Sequence, residues 1–181
     1  MQVFDEKGSQ NTQRTIEIAI ERALALHTSI VIATTQGGTA VAMAREVAGR
    51  VPLVVVGHAY GSREAGTNAM LPEHAAALQE FGVPVIHAAH ALSGAERGIS
   101  SRFNGAYPVE IIAHTLRMLS PGVKVGVEIA AMALDAGKIP LQPVVAVGGS
   151  AQGADTAILL TPAYTAKIFD THIHEIYCKP F

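Results

Sequence analysis

Apolar positions recur along this chain with two different periods. Ile16, Ala19, Ile20, Ala23 and Leu24 fall on one stripe ending at His27, at helical spacing, with Asn11 placed as an N-cap. The runs that follow are shorter and richer in β-branched residues. Ser29–Ala33, Pro52–Gly57, Val83–His87, Val144–Val147 and Ala157–Leu160 read as strands, and His172–Tyr177 as a last strand with alternating faces. Pro52–Gly57 is continuously apolar, as in a parallel sheet covered on both sides. Helices are predicted at Thr39–Ala48, at Leu71–Gly82 with Pro72 in its first turn, and at Tyr107–Leu119, which breaks at Ser120-Pro121-Gly122. Val125–Ala136 reads either as a small-residue helix or as a strand-helix junction. Two stretches lack periodicity: His58–Asn68, a long loop of the kind that often carries function, and the polar segment Ser93–Gly105. Strands and helices alternate without repeat or linker. The pattern predicts one α/β domain over residues 1–181, a three-layer, doubly wound, mostly parallel sheet.

Composition narrows the function more than the fold. A chain of 181 residues, 49% of them hydrophobic, can bury a core without disulfides or a metal. Its 13 basic and 15 acidic residues leave a formal charge of −2 and form no basic cluster, which argues against nucleic acid or an anionic membrane as partner. Charged residues are only 15% of the chain, so part of the surface is expected to be buried in a homo-oligomer. The single cysteine, Cys178, excludes an intramolecular disulfide and fits a buried position in a reducing compartment. The first residues lack the pattern of a signal peptide and no apolar run reaches membrane-spanning length, so a cytoplasmic protein is expected.

The densest chemistry lies between the first core strand and its helix. In Ile30–Ala40 a β-branched run ends in Thr34, Thr35, Gln36, Gly37, Gly38 and Thr39, and a small-residue helix follows at once. A tight turn there converges uncapped backbone N–H groups and the positive end of the helix dipole beside three hydroxyls, which suits a phosphate. Glycines in such a turn also arise for backbone geometry alone. A second turn of the same character follows the strand at Val144: Gly148, Gly149, Ser150, Gly153, Asp155 and Thr156. Loops at the carboxyl ends of parallel strands share one edge of the sheet, so two such loops could grip one phosphate. Neither G-x-G-x-x-G after the first strand nor G-x-x-x-x-G-K-[ST] is present.

The stretch Ile30–Gly57, with its strand, Thr-Thr-Gln-Gly-Gly-Thr-Ala turn, helix and Pro-led strand, resembles the C-terminal domain of pyruvate kinase. In that family the turn cradles a phosphate of a sugar-phosphate effector and a later glycine-rich loop closes over it, a loop that Val144–Thr156 resembles. The whole chain is more similar still to stand-alone proteins carrying this domain. That similarity runs through Asn11-Thr12, Leu92–Ser100, Val127–Pro140 and Ala146–Ala157. The resemblance implies a phosphate-binding crevice and points to flavin mononucleotide or a related nucleotide as ligand, with Tyr60 and Tyr107 offering planar surfaces to the ring. Where pyruvate kinase has a turn lysine and serine, this chain has Thr35 and Gln36, so sugar bisphosphate recognition does not carry over. The catalytic barrel has no counterpart in these residues, and kinase activity is not expected.

Other groups along the chain are candidates for chemistry. Asp170, His172 and His174 share one strand face, where a solvated edge explains them better than zinc because no third, distant ligand is identifiable; no metal is expected. His87 and His90, beside alanines at a strand end, carry less weight. Glu128 and Asp135 lie seven positions apart among apolar neighbours, and a carboxylate so placed needs a partner, with Arg97 and Arg102 as candidates. Glu96, Arg97 and Glu128 therefore form either a structural ion-pair cluster or the acid–base machinery of an enzyme acting on a phosphorylated metabolite. An oligomeric interaction protein with a vestigial pocket is the remaining alternative.

Overall fold

A computed structural model of the chain describes residues 1–62 and 64–181. Arg63, inside the predicted loop His58–Asn68, lies outside the described residues. In chain order the elements are β1 (Gln2–Phe4), α1 (Thr12–Ala25), β2 (Ile30–Ala33), α2 (Gly38–Val47), β3 (Leu53–Gly57), α3 (Pro72–Glu80) and β4 (Val85–His87), followed by α4 (Gly94–Phe103), α5 (Pro108–Arg117), α6 (Pro121–Asp135), β5 (Val144–Gly148), β6 (Thr156–Thr161) and β7 (His172–Pro180). The strands form one sheet in the order β1-β7-β6-β5-β2-β3-β4. Strands β5, β2, β3 and β4 run parallel, as β1 does to β7, whereas β6 is antiparallel to both β5 and β7.

Side chains alternate across the sheet, and that alternation sorts the core into two layers. Ile30 and Ile32 of β2, with Val55, Val145 and Val147, pack under Ile16, Ala19 and Ala23 of α1, Met43 and Val47 of α2, and Leu78 of α3. Val31, Val54, Val56, Ala146 and Ile158 face the other way, against Val123, Val127, Ala130 and Leu134 of α6 and Ala113 of α5. The mostly parallel, three-layer α/β arrangement expected from the sequence is thus present.

Four local readings need correction. The Val125–Ala136 segment is wholly helical and starts earlier. Ser120 caps α6, its hydroxyl accepting the Val123 N–H at 3.1 Å, and Pro121 occupies the first turn, so the expected break is a helix start. Gly122 and Gly126 let α6 sit close to β6, where a Cβ would collide with Thr156 and Ile158. The polar segment after β4 contains α4, which has no buried residue and hence no apolar stripe to read. The three-residue strand β1 has no sequence signal of its own, because it exists only through pairing with Cys178–Pro180. Finally, β7 runs on to Pro180, past its expected end at Tyr177. Among the described residues no helix is long and apolar enough to cross a membrane.

Candidate functional site

The two glycine loops leave neighbouring strands. β2 pairs with β5 on one side and β3 on the other, and the chain leaves β2 through α2 towards β3. The strand order therefore reverses beside β2, and in open parallel sheets the crevice outside the carboxyl ends at such a point is the usual ligand site. A cleft of about 720 Å³ opens there. Thr34, Thr35, Gln36, Gly38 and Thr39 line it from one side, Gly149 and Gly153 from another.

The first loop is held from beneath. Gly37 caps α2 at φ 99°, the left-handed region, and donates its N–H to Thr34 Oγ1 at 3.1 Å. Thr34 is thus a buried brace of the turn. The carbonyl of Gln36 accepts the Leu71 N–H at 3.1 Å and lies 2.7 Å from His74 Nδ1, tying the turn to the start of α3. A Cβ on Gly37 would stand 2.5 Å from His74 Cβ, so glycine is required there on two counts. Beyond Gly37 the first turn of α2 has no side-chain cap, and Gly38 and Thr39 border the cleft. Thr35 is half-buried, its hydroxyl 3.3 Å from His58 Nε2.

The second loop divides its residues between cleft and core. Gly149 and Gly153 reach the cleft, with the neighbouring Ala151 and Gln152. Asp155 and Thr156, which the sequence grouped with the ligand-facing residues, turn inward and are fully buried. The Asp155 carboxylate accepts the N–H groups of Gly8 at 3.0 Å and Ser150 at 3.2 Å and the Thr156 hydroxyl at 2.9 Å, which commits it to the loop's own structure. Gly148 ends β5 against the Gly122 carbonyl, and neither it, Gly37 nor Ser150 lines the cleft. Ser150 Oγ is buried without a partner among the described residues.

No known family model matches the chain. The site is therefore read from its own chemistry.

That chemistry includes groups the sequence reading underrated. Glu128 lies at the cleft, almost fully buried, and its partner is Lys124, one turn earlier on α6, at 2.5 Å; neither Arg97 nor Arg102 fills that role. The other carboxylate oxygen accepts the Leu92 N–H at 2.8 Å. Burial pulls the Lys124 ammonium below the ordinary lysine value, against the opposing pull of Glu128. His90 Nδ1 stands 3.8 Å from Glu128 Oε2, and the His90 ring meets that of His58 edge-on at 4.8 Å. His58, His74 and His90 all border the cleft. The signal that could have found His58 was position alone, since it directly follows the glycine that ends β3.

Glu96 and Arg97 do not join this group. Glu96 accepts the Glu110 N–H at 2.9 Å and lines an adjoining cavity of about 540 Å³, while Arg97 is exposed. Asp135 takes the backbone N–H and hydroxyl of Thr165. Tyr60 stands against His87 with ring centroids 5.6 Å apart, and Tyr107 precedes α5; neither lines the cleft. His172 and His174 are exposed, with His174 Nε2 2.7 Å from Thr161 Oγ1. Among the described residues no group of three or more His, Cys, Asp or Glu is arranged to hold a metal ion.

Proposed function

We propose that this protein binds a phosphorylated small molecule in the cleft, with flavin mononucleotide as the leading candidate. One observation carries the reading: β2 and β5 are neighbours, so the two glycine loops border the same space. In this reading the phosphate sits at the uncapped first turn of α2, against the N–H groups of Gly38 and Thr39 and the Thr35 hydroxyl. The segment Gly149–Gly153 covers it, and the organic part extends towards His58 and His90. The resemblance to stand-alone pyruvate kinase C-terminal-domain-like proteins belongs to the same proposal, as does a cytoplasmic homo-oligomer. The cleft volume falls within the range of small-molecule sites.

Titration with flavin mononucleotide and with inorganic phosphate, followed by calorimetry and native mass spectrometry, tests this. The wild type is expected to bind both. Thr35→Asp, which sets a carboxylate against the phosphate, is expected to lose binding with an unchanged melting temperature. A wild-type protein that binds neither ligand overturns the reading.

A further inference from the structure

The space beside the phosphate turn does not end with the cleft. In α6, Val125, Glu128, Ile129 and Met132 border the cleft, three or four positions apart and therefore on one face of the helix. The same spacing continues to Asp135 and Ala136, which, with Met132 again, border the adjoining cavity of about 540 Å³. One face of α6 thus floors both spaces, and Met132 and His90 belong to the walls of each. From Val125 to Ala136 this floor runs roughly 16 Å, at about 1.5 Å per helical residue.

The adjoining cavity has a chemistry of its own. Its walls are mainly small or apolar, with Ile86, Ala88, Ala91 and Val109, and among the described residues no lysine or arginine lines it. Its two carboxylates differ. Asp135 is committed to Thr165, whose N–H and hydroxyl take one oxygen each. Glu96 Oε2 accepts the Glu110 N–H at 2.9 Å, whereas Oε1 accepts nothing from the described residues. Ser93-Gly94-Ala95-Glu96 is a capping-box sequence, in which the serine and glutamate side chains ordinarily satisfy each other's backbone N–H groups. Here the box is unmade. Ser93 makes no side-chain bond to α4, its N–H goes to the His90 carbonyl at 3.2 Å, and the Glu96 side chain turns to α5. Both residues line the cavity, each with an unused hydrogen-bonding atom, a hydroxyl and a carboxylate oxygen. An apolar slot with such a pair suits a ring bearing an N–H donor and repels a second anion.

We propose that this cavity seats the heteroaromatic ring of the phosphorylated ligand, and that the ring has an imide edge, as flavin and uracil do; the proposal rests on the phosphate-binding reading. The imide N–H donates to Glu96 Oε1, a flanking carbonyl accepts the Ser93 hydroxyl, and the ring lies against Met132 and the alanine walls. The sugar or ribityl chain follows the α6 floor past His90, from the cavity to the turn before α2. Chemistry fixes the direction of the ligand, since the carboxylate end rejects the phosphate and the phosphate turn offers no slot for the ring.

Calorimetry on the full chain with FMN, UMP, AMP and inorganic phosphate tests this, together with the N3-methyl forms of FMN and UMP. The wild type is expected to bind FMN or UMP at least about tenfold tighter than AMP, whose base has no imide, and the tighter of the two identifies the ring. Methylation of the imide nitrogen is expected to weaken that ligand by about tenfold or more, the worth of one hydrogen bond to a charged acceptor. In Glu96→Ala the methylated and unmethylated ligands are expected to bind alike, whereas a purely structural loss would weaken both and keep the preference. Ala136→Trp, at the exposed rim of the cavity, is expected to weaken the ring-bearing ligand by about tenfold or more, with inorganic phosphate affinity and melting temperature unchanged. Affinity for FMN and UMP untouched by Ala136→Trp overturns the proposal, since the ring then lies elsewhere. So does a wild type that binds AMP or the methylated ligand equally well. Binding of phosphate with neither FMN nor UMP overturns the ring site and leaves the phosphate seat standing. Absence of all binding overturns both.

Discussion

Lys124 and Glu128 are one helical turn apart on α6, and both side chains are closed off from water. Each alone would be a costly buried charge; together, with the Leu92 N–H, they are satisfied. Lys124→Met is therefore expected to lower stability by about 3–5 kcal/mol, measured by urea unfolding, because it strands the carboxylate. The pH dependence carries a sign. Burial holds the native Lys124 below the value an unfolded lysine has, so within that alkaline window the unfolded chain binds a proton the native protein lacks. The Lys124 contribution then makes stability rise with pH through the window, and the difference between wild type and Lys124→Met is expected to move in the wild type's favour there. Glu128 was legible in the sequence as an acid among apolar neighbours. Lys124 was not, because a helix begun at Val125 excludes it, and only the Ser120 cap extends α6 far enough to make the pair visible.

At the scale of elements, the turn between β2 and α2 was legible because its signals are local: a β-branched run, two glycines and a small-residue helix. The loop between β5 and β6 was legible only as a loop. Whether its polar residues face a ligand or the interior depends on Gly8 and Thr12, which lie far away in sequence: Gly8 donates to Asp155, and the Thr12 hydroxyl accepts the Ala154 N–H at 3.0 Å. Asp155→Ala would leave the Gly8 and Ser150 N–H groups and the Thr156 hydroxyl without this acceptor in a largely buried loop. It is expected to cost about 3 kcal/mol in thermal or urea unfolding and to loosen the N-terminal segment, read as faster hydrogen exchange at the Gly8 amide. A stability within about 0.5 kcal/mol of wild type, the range of ordinary surface substitutions, would mean the carboxylate is not the knot described.

For the molecule as a whole, the decisive fact is strand order. Placing β5 against β2 brings loops from opposite halves of the chain to one cleft, and the α6 residues that carry Glu128 pack beneath it. Antiparallel β6 then directs the chain to β7 at the far side of the sheet, where Cys178 is sealed between β1 and β6. Burial raises the Cys178 thiol above its ordinary value, against a smaller opposing contribution from Thr15. The native protein is therefore expected not to react with Ellman's reagent at about pH 8, and to react promptly in denaturant. Prompt reaction of the native form would show that this end of the sheet opens.

Hydrophobic period, proline and glycine act over a few residues, so the α/β class, most of the core strands and helices, and the two glycine loops are legible in the chain alone. Which strands are neighbours, that β6 runs antiparallel, that Asp155 turns inward, and that His90 meets both His58 and the neighbourhood of Glu128 are set by the folded chain alone. Those outcomes depend on contacts between distant segments, where burial and hydrogen bonding across the whole chain outweigh local preference.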